Sequence, residues 1–240
     1  MDLNPPIEAA AVKNRFSRQA KMYAMLNTPQ RQVAKNLIAE IAHLKPRRIL
    51  DVGAGCGAVY EQIHWPLECF VAVDFASMMC QLHPKGEGVW VVQADFNNPN
   101  ELDSLARYGP YDLVISSSAL QWAVSLEDSL SALSRLSARA ALALFTAGTF
   151  DGLNRYLGKA SPLPTATEAM EIIGRHFDAE IRVEKFCVGF ESVRSLFDFI
   201  RQSGVGGGSP GLSVAQARSL LLNYPGLDLE FEVVYALAKG

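Results

Sequence analysis

The chain has 240 residues, of which 49% are hydrophobic and 20% are charged, and its formal net charge is −3. This length suits one large domain with an ample buried core, and the acidic balance excludes a general positive field that recruits nucleic acid. The N-terminus lacks a basic region followed by an apolar run, and no apolar stretch is long enough to cross a bilayer. We expect a cytoplasmic monomer that binds neither nucleic acid nor membranes.

The cysteines and histidines are scattered along the chain, without the close pairs that zinc sites and disulfide frameworks use. The sequence therefore predicts free thiols in a reducing compartment and no metal site. The cysteines are Cys56, Cys69, Cys80 and Cys187.

Hydrophobic periodicity predicts helices and strands that alternate along the first two thirds of the chain. The predicted helices cover residues 7–25, 28–44, 58–63, 76–82, 102–107 and 126–136. The predicted strands cover residues 48–52, 70–74, 89–93, 111–116 and 140–145. This alternation is typical of an α/β fold with a parallel sheet that helices cover on both faces.

The last third of the chain predicts helices over residues 165–176 and 193–203 and strands over 180–190 and 227–238. Because a long connection joins these two strands, we expect an antiparallel pair that closes one edge of the sheet. There is no internal repeat and no sign of a second domain, so we expect residues 1–240 to form a single domain.

Three glycines, Gly53, Gly55 and Gly57, lie between the first predicted strand and the helix after it. Glycine lets the backbone turn sharply there and leaves room for a ligand, and ligands of doubly wound sheets bind at this position. The run Gly53-x-Gly55-x-x-Ala58 also fits the dinucleotide fingerprint, and an ordinary glycine turn is a further alternative.

Three strand ends carry aspartates: Asp51, Asp74 and Asp95. Asp51 precedes the glycines, where a carboxylate reaches a cationic amino group but repels the pyrophosphate of a dinucleotide. Asp74 is placed to accept hydrogen bonds from ribose hydroxyls, which either cofactor has. Asp95 and Phe96 suit the amino group and ring face of adenine. Each aspartate alone is equally a helix cap or a solvated turn residue.

Together these features resemble the class I S-adenosylmethionine-dependent methyltransferases, from about Ile49 to Phe145. The resemblance implies a doubly wound, mostly parallel, seven-stranded Rossmann-like sheet, with S-adenosyl-L-methionine as the cofactor. It assigns the methionine portion to Asp51, Gly53, Ala54, Gly55, Gly57 and Ser116, the ribose to Asp74, and the adenine to Phe75, Met79, Asp95 and Phe96. Met79 also fits a simple core position.

A narrower resemblance rests on Phe16-x-Arg18-x-Ala20-x-x-Tyr23, on Gln121-Trp122 and on residues 197–207. These segments are similar to those of the malonyl-acyl carrier protein O-methyltransferases of biotin biosynthesis. Trans-aconitate and other small-acid methyltransferases share the Gln-Trp feature. The resemblance implies methylation of a free malonyl carboxylate to a methyl ester. The alternatives are a free small carboxylic acid as acceptor, or a non-catalytic module that binds S-adenosylmethionine.

The same resemblance divides the domain into an N-terminal lid helix (1–27), a cofactor-binding core (28–145) and a substrate-side segment with closing strands (146–240). Tyr23, Gln121 and Arg18 become positioning residues in catalysis, although packing or solvated roles fit each of them. Acyl carrier proteins are strongly acidic, so a basic docking face is expected. Its candidates, which otherwise are solvated surface charges, are Arg155, Lys159, Arg194 and Arg201.

Overall fold

The computed structural model describes residues 28–202 and 214–240, in which seven strands form one sheet. The strands are β1 (Arg48–Val52), β2 (Cys69–Asp74), β3 (Val89–Gln93), β4 (Leu113–Ser117), β5 (Arg139–Phe145), β6 (Ala179–Gly189) and β7 (Asp228–Lys239). Their order across the sheet is β3-β2-β1-β4-β5-β7-β6. The first five strands pair in parallel, whereas β7 is antiparallel to both β5 and β6. The predicted fold class and the antiparallel closing pair are confirmed.

Eight helices flank the sheet in the described part of the chain. They are α1 (Thr28–Ile41), α2 (Ser77–Leu82), α3 (Pro99–Ser104), α4 (Leu126–Leu136), α5 (Asp151–Leu157), α6 (Ala166–His176), α7 (Val193–Gln202) and α8 (Val214–Asn223). Within residues 28–202 and 214–240, none of them combines the length and apolar character that a bilayer crossing requires. The predicted helix at residues 7–25, and with it the lid segment, lies outside the described residues.

Two hydrophobic cores pack against the two faces of the sheet, because side chains alternate between faces along each buried strand. Ile49 of β1 joins the core formed with α1, α5, α7 and α8, whereas its neighbour Leu50 joins the core formed with α3, α4 and α6. Both residues are fully buried. The sequences of the strands that lie between the two helical layers are therefore continuously apolar, and their polar residues concentrate at the strand ends.

The predicted helix over residues 58–63 is wrong. The chain instead continues as turns into a single 3-10 turn at Tyr60–Gln62, where the amide of Ile63 donates to the carbonyl of Tyr60 at 3.1 Å. Six residues that include Val59 and Tyr60 have little intrinsic helical stability. Pro66 further disfavours helical geometry at the preceding residue.

Smaller differences occur at other helix ends. The helix α1 ends at Ile41 rather than near Leu44, which is 54% exposed. The short helix α5 was not expected, because Phe150 precedes it in a left-handed conformation without a side-chain cap. Gly158 ends α5 with a φ of 60°, which is a common helix-termination signal that the sequence does carry.

Candidate functional site

The glycine turn after β1 forms the floor of a cleft at the carboxyl edge of the sheet. The amides of Gly53 and Ala54 both donate to the carbonyl of Val73, at 2.8 and 2.9 Å, and so hold the turn against β2. Gly53 has a φ of +73°, and a Cβ atom there would clash with the Cβ atom of Ala119. Gly55 has a φ of +54° and faces open space, so the turn leaves its outer side free for a ligand.

Asp74, at the end of β2, is bonded to this turn. One carboxylate oxygen accepts from the amide of Gly55 at 3.0 Å and the other from the amide of Ala76 at 2.8 Å. Burial raises the pKa of Asp74 to about 6; the two amides oppose this effect, and the charge of Asp95 adds to it. The side chain lines the cleft, and each carboxylate oxygen has a further lone pair that can accept a hydrogen bond.

Asp51, at the end of β1, is completely buried, and neither of its carboxylate oxygens has a hydrogen-bond partner in the described structure. Burial, and secondly the nearby charge of Asp74, raise its pKa well above the ordinary value. Burying a carboxyl group without a partner is costly, and a cation or a strong donor offsets that cost. Asp51 therefore favours a ligand that carries a positive group close to the glycine turn.

The cleft brings together six of the residues that the sequence assigns to the cofactor. Its lining residues are Gly53, Gly55, Asp74, Phe75, Met79, Phe96, Ser118, Ala119 and Trp122. The rings of Phe75 and Phe96 meet edge to face with their centroids 6.4 Å apart. The cleft thus combines an aromatic and thioether surface with the carboxylate of Asp74.

Several predicted residues lie near this cleft without lining it. The hydroxyl of Ser116 donates to the carbonyl of Val52 at 2.7 Å, whereas Ser117 and Ser118 line the adjoining pocket, where their buried hydroxyls have no partner in the described structure. Asp95 accepts from the backbone and side chain of Asn97, at 2.9 and 3.0 Å. Gly57 has a φ of +96° and packs against Pro84.

The predicted positioning residues are only partly described. Gln121 is buried, its amide nitrogen donates to the carbonyl of Ser118 at 2.8 Å, and its amide oxygen has no partner in the described structure. Arg18 and Tyr23 lie outside the described residues.

Sequence reasoning did not assign Ser117, Ser118 or Gln30 to the site. Ser118 has a φ of 59°, which aims the chain after β4 towards the glycine turn. The unbroken polar run at the end of an apolar strand is a signal that could have identified the two serines. Gln30 lies among other polar residues of α1, so its burial at the turn has no counterpart in the sequence pattern.

The arrangement distinguishes between the two cofactor classes that the glycine pattern allows. Dinucleotide sites bind the pyrophosphate at the N-terminus of a helix that follows the glycines. Here a 3-10 turn follows the glycines, and the carboxylate of Asp74 accepts from the amide of Gly55 at that position, with Asp51 close enough for its charge to interact with that of Asp74. The site therefore disfavours a pyrophosphate and suits a ligand that combines a nucleoside with a cationic group.

No protein-family model matches the chain. Among curated proteins, it is 25% identical over 247 residues to a malonyl-[acyl-carrier protein] O-methyltransferase of Chlorobium phaeovibrioides, which covers 95% of each chain. It is 24% identical over 252 residues to the protein of the same name from Neorickettsia risticii, covering 98% of this chain and 97% of the relative. A third, from Enterobacter lignolyticus, is 33% identical over 152 residues, which is 62% of this chain and 58% of the relative.

Solved methyltransferase structures share the fold. The magnesium protoporphyrin IX methyltransferase of Synechocystis superposes with a TM-score of 0.56 at 14% identity, covering 94% of this chain and 98% of that one. An N-methyltransferase of Bradyrhizobium japonicum superposes with a TM-score of 0.54 at 10% identity, covering 96% of this chain and 100% of that one. Both were crystallised with S-adenosylhomocysteine. The chain thus has the fold of the class I S-adenosylmethionine-dependent methyltransferases, and nearly its whole length is similar to malonyl-[acyl-carrier protein] O-methyltransferases.

Proposed function

We propose that this chain is an S-adenosylmethionine-dependent methyltransferase that converts the free carboxylate of malonyl-acyl carrier protein to its methyl ester, a step of biotin biosynthesis. The observation that supports this assignment of the cofactor is the unpartnered, fully buried carboxyl group of Asp51 beside the glycine turn. S-adenosylmethionine is a nucleoside that bears an ammonium group and a sulfonium, and both are positive groups of the kind that this position favours.

The lining of the cleft supports one orientation of the cofactor. In the proposed complex, Asp74 accepts hydrogen bonds from the ribose hydroxyls, and Phe75, Met79 and Phe96 contact the adenine. Asp51 and the amides of the glycine turn hold the amino-acid end. This places the methyl group near the end of β4, where Trp122 lines the cleft and the buried amide of Gln121 is held by Ser118.

The acceptor is supported by the similarity along the whole chain to proteins that carry this name. It is also supported by cations at the carboxyl edge of the sheet, where α5 and α7 begin. Arg155 and Arg194 keep 73% and 76% of their side chains exposed, and Lys159 follows α5. Arg201 belongs to α7, and its side chain lies outside the described structure. A cytoplasmic location belongs to the proposal, and the four free thiols support it.

When bound, S-adenosylmethionine supplies an activated methyl group on a sulfonium. A malonyl carboxylate is ionised at neutral pH and needs no general base. The residues of the chain therefore have to align the carboxylate and remove its water, rather than transfer a proton. The buried surroundings of Gln121 and Trp122 suit this task, and the amide nitrogen of Gln121, which donates one hydrogen to the carbonyl of Ser118, has a second hydrogen that can bind the carboxylate.

The proposal is tested by incubating the purified protein with methyl-labelled S-adenosylmethionine and, separately, malonyl-acyl carrier protein, malonyl-coenzyme A and free malonate. We expect label on the malonyl-loaded carrier, released as methanol by mild base as an ester requires. The unloaded carrier serves as the control for methylation of the protein itself. Calorimetry on the same preparation measures binding of S-adenosylhomocysteine and NAD.

Each alternative predicts a different result. Label on free malonate but not on the loaded carrier would identify a small-acid methyltransferase. Binding of S-adenosylhomocysteine with no methylated product from any acceptor would favour a non-catalytic module. Binding of NAD in place of S-adenosylhomocysteine would overturn the cofactor assignment.

A further inference from the structure

A second cleft, of about 750 Å³, lies at the edge of the sheet where the parallel strands begin. Strands β1, β4 and β5 start there at Arg48, Leu113 and Arg139, and the antiparallel strand β7 ends there at Lys239. The glycine turn follows the other end of β1, and the two clefts share no lining residue. A volume of this size is typical of small-molecule sites, so the second cleft can hold a ligand of its own.

The cleft has an apolar surface on a fixed framework. Leu113 on its lining is only 3% exposed, whereas Leu44 on the same lining is 54% exposed. The carboxylate of Asp112 accepts from the amides of Arg47 and Arg48 at 2.8 and 2.9 Å, and so fixes the connection between α1 and β1 against the start of β4. An apolar body that lay against Leu44 would remove its exposed surface from water, which is favourable.

The charged side chains on the lining leave an excess of positive charge. Each carboxylate there is already bonded to backbone amides or to a cation; these residues are Glu40, Asp112 and Glu180. Two cations of the lining, Lys45 and Arg139, form no ion pair with a carboxylate in the described part of the chain. Arg47 pairs with Glu68, which is not on the lining. The cleft therefore favours an anionic ligand.

The guanidinium of Arg139 is held in place by one of its nitrogens. Its Nε atom donates to the carbonyl of Lys239 at 3.1 Å, and its two terminal nitrogens have no hydrogen-bond partner among the described residues. A guanidinium binds a carboxylate through two parallel hydrogen bonds. Because the bond at Nε already restricts the side chain, less conformational freedom is lost when such a ligand binds.

We propose that this cleft binds an amphiphilic organic acid, a monocarboxylate with a hydrocarbon chain of medium length. Its carboxylate is bound by the terminal nitrogens of Arg139, and its chain lies against Leu44 and Leu113. Lys45, which has a φ of 45° in the turn after α1, adds positive charge to the site. The proposed function assigns nothing to this edge of the sheet, so the ligand does not compete with S-adenosylmethionine.

The test measures binding of octanoate to the purified protein by calorimetry. Two further probes separate the parts of the ligand, since octylamine lacks the anion and acetate lacks the apolar chain. We expect octanoate to bind, acetate to bind at least about tenfold more weakly, and octylamine not to bind, because its ammonium group would meet Lys45 and Arg139.

Substitution of Arg139 locates the site. We expect Arg139→Gln to weaken octanoate by roughly tenfold or more, the usual effect of hydrogen bonds to charged groups. Arg139→Lys keeps the charge but not the paired donors, so it should also weaken binding. The matched control is Arg135→Gln, an exposed arginine outside the lining, which should change the affinity by less than about twofold. Equal melting temperatures of the ligand-free variants would show that the fold is kept.

Several results would overturn the proposal. They are failure of the parent chain to bind octanoate, equal affinity for octylamine, and octanoate binding by Arg139→Gln that matches the parent chain. Displacement of octanoate by S-adenosylhomocysteine would also overturn it, since it would place octanoate in the cofactor cleft. The proposed function is tested separately, because none of the octanoate titrations requires methyl transfer.

Discussion

Asp51 and Asp74 both have raised pKa values, and burial is the largest cause for each. Between the ordinary value of 3.8 and about 6, folded Asp74 holds its proton while the unfolded chain has released it. Proton linkage therefore predicts that this group stabilises the ligand-free fold at low pH, and that its contribution is lost as the pH rises through this window. Ligand binding has the opposite pH dependence, because the ligand requires the ionised carboxylates.

We predict that the affinity for S-adenosylhomocysteine is constant near pH 7.5 and falls below about pH 6, by up to about tenfold per pH unit for each proton taken up. Asp74→Asn should weaken binding at pH 7.5 by about 1–3 kcal/mol and make the pH dependence shallower. Titration calorimetry between pH 5 and 7.5 measures both effects. The control is Asp103→Asn, which removes an exposed carboxylate that pairs with Arg135. A flat pH profile for the parent chain would contradict the role given to these carboxyl groups.

The site is assembled from the ends of neighbouring elements, and its geometry follows from their pairing. β1 and β2 are parallel and in register from Arg48 and Cys69 to Val52 and Val73, so the turns that follow them meet. The glycine turn is then fixed between Val73 on one side and Ala119 on the other. The turn is therefore a rigid support for a ligand. Gly53 is required there both because its φ is positive and because a Cβ atom would clash with Ala119.

We predict that Gly53→Ala lowers the free energy of unfolding by about 2–4 kcal/mol, since it combines a positive φ with a clash against Ala119. Gly174→Ala is the matched control, because that glycine lies inside α6 with no atom within 4 Å of an added Cβ. The control should raise stability by roughly 0.5–1 kcal/mol. Urea unfolding followed by circular dichroism measures both. Equal effects of the two substitutions would show that the turn tolerates a side chain.

The five parallel strands are predictable to within two residues, because polar residues or glycine bound their apolar runs. The helices are predictable less closely, since α1 ends three residues before its predicted end and α3 begins three residues before its predicted start. Asp51 and Asp74 lie at their strand ends as predicted, whereas Asp95 follows the end of β3 by two residues.

The segment after the glycines was not predictable, because local propensity and Pro66 outweigh the helix that usually follows such a loop. Gln30 was not predictable either, since its burial depends on how α1 packs on the turn. Side chains that hydrogen-bond to the backbone, such as that of Ser116, can be identified only from the three-dimensional structure.

On the scale of the whole molecule, two helices that each carry an exposed arginine leave the sheet at the same edge as the cofactor cleft. Arg155 pairs with Asp151 at 2.8 Å and Arg194 with Asp198 at 3.7 Å. Such exposed pairs contribute little to stability, so these guanidinium groups are suited to meet an acidic partner. Comparable exposed pairs lie elsewhere on the described surface, Arg135 with Asp103 and Arg175 with Glu127.

We predict that Arg155→Glu combined with Arg194→Glu raises the KM for malonyl-acyl carrier protein several-fold, because like charges slow the encounter with an acidic carrier. The affinity for S-adenosylhomocysteine should not change. The double variant Arg135→Glu with Arg175→Glu makes the same change in net charge and serves as the control. Steady-state assays at low and high salt measure the effect, which should diminish with salt. An equal KM for the two double variants would place the docking face elsewhere.

The antiparallel strand β7 also has a consequence for biosynthesis. Strands β1 to β5 form a continuous parallel part of the sheet in the order β3-β2-β1-β4-β5, so these five strands can assemble while the chain is still growing. The edge strand β6 pairs with β7, which is synthesised later and has to insert between β5 and β6. Until then, β5 and β6 expose unpaired backbone, and exposed edges favour association with other chains. The nascent protein is therefore most prone to aggregation in the interval between the synthesis of β6 and of β7, when its cofactor-binding half can already be formed.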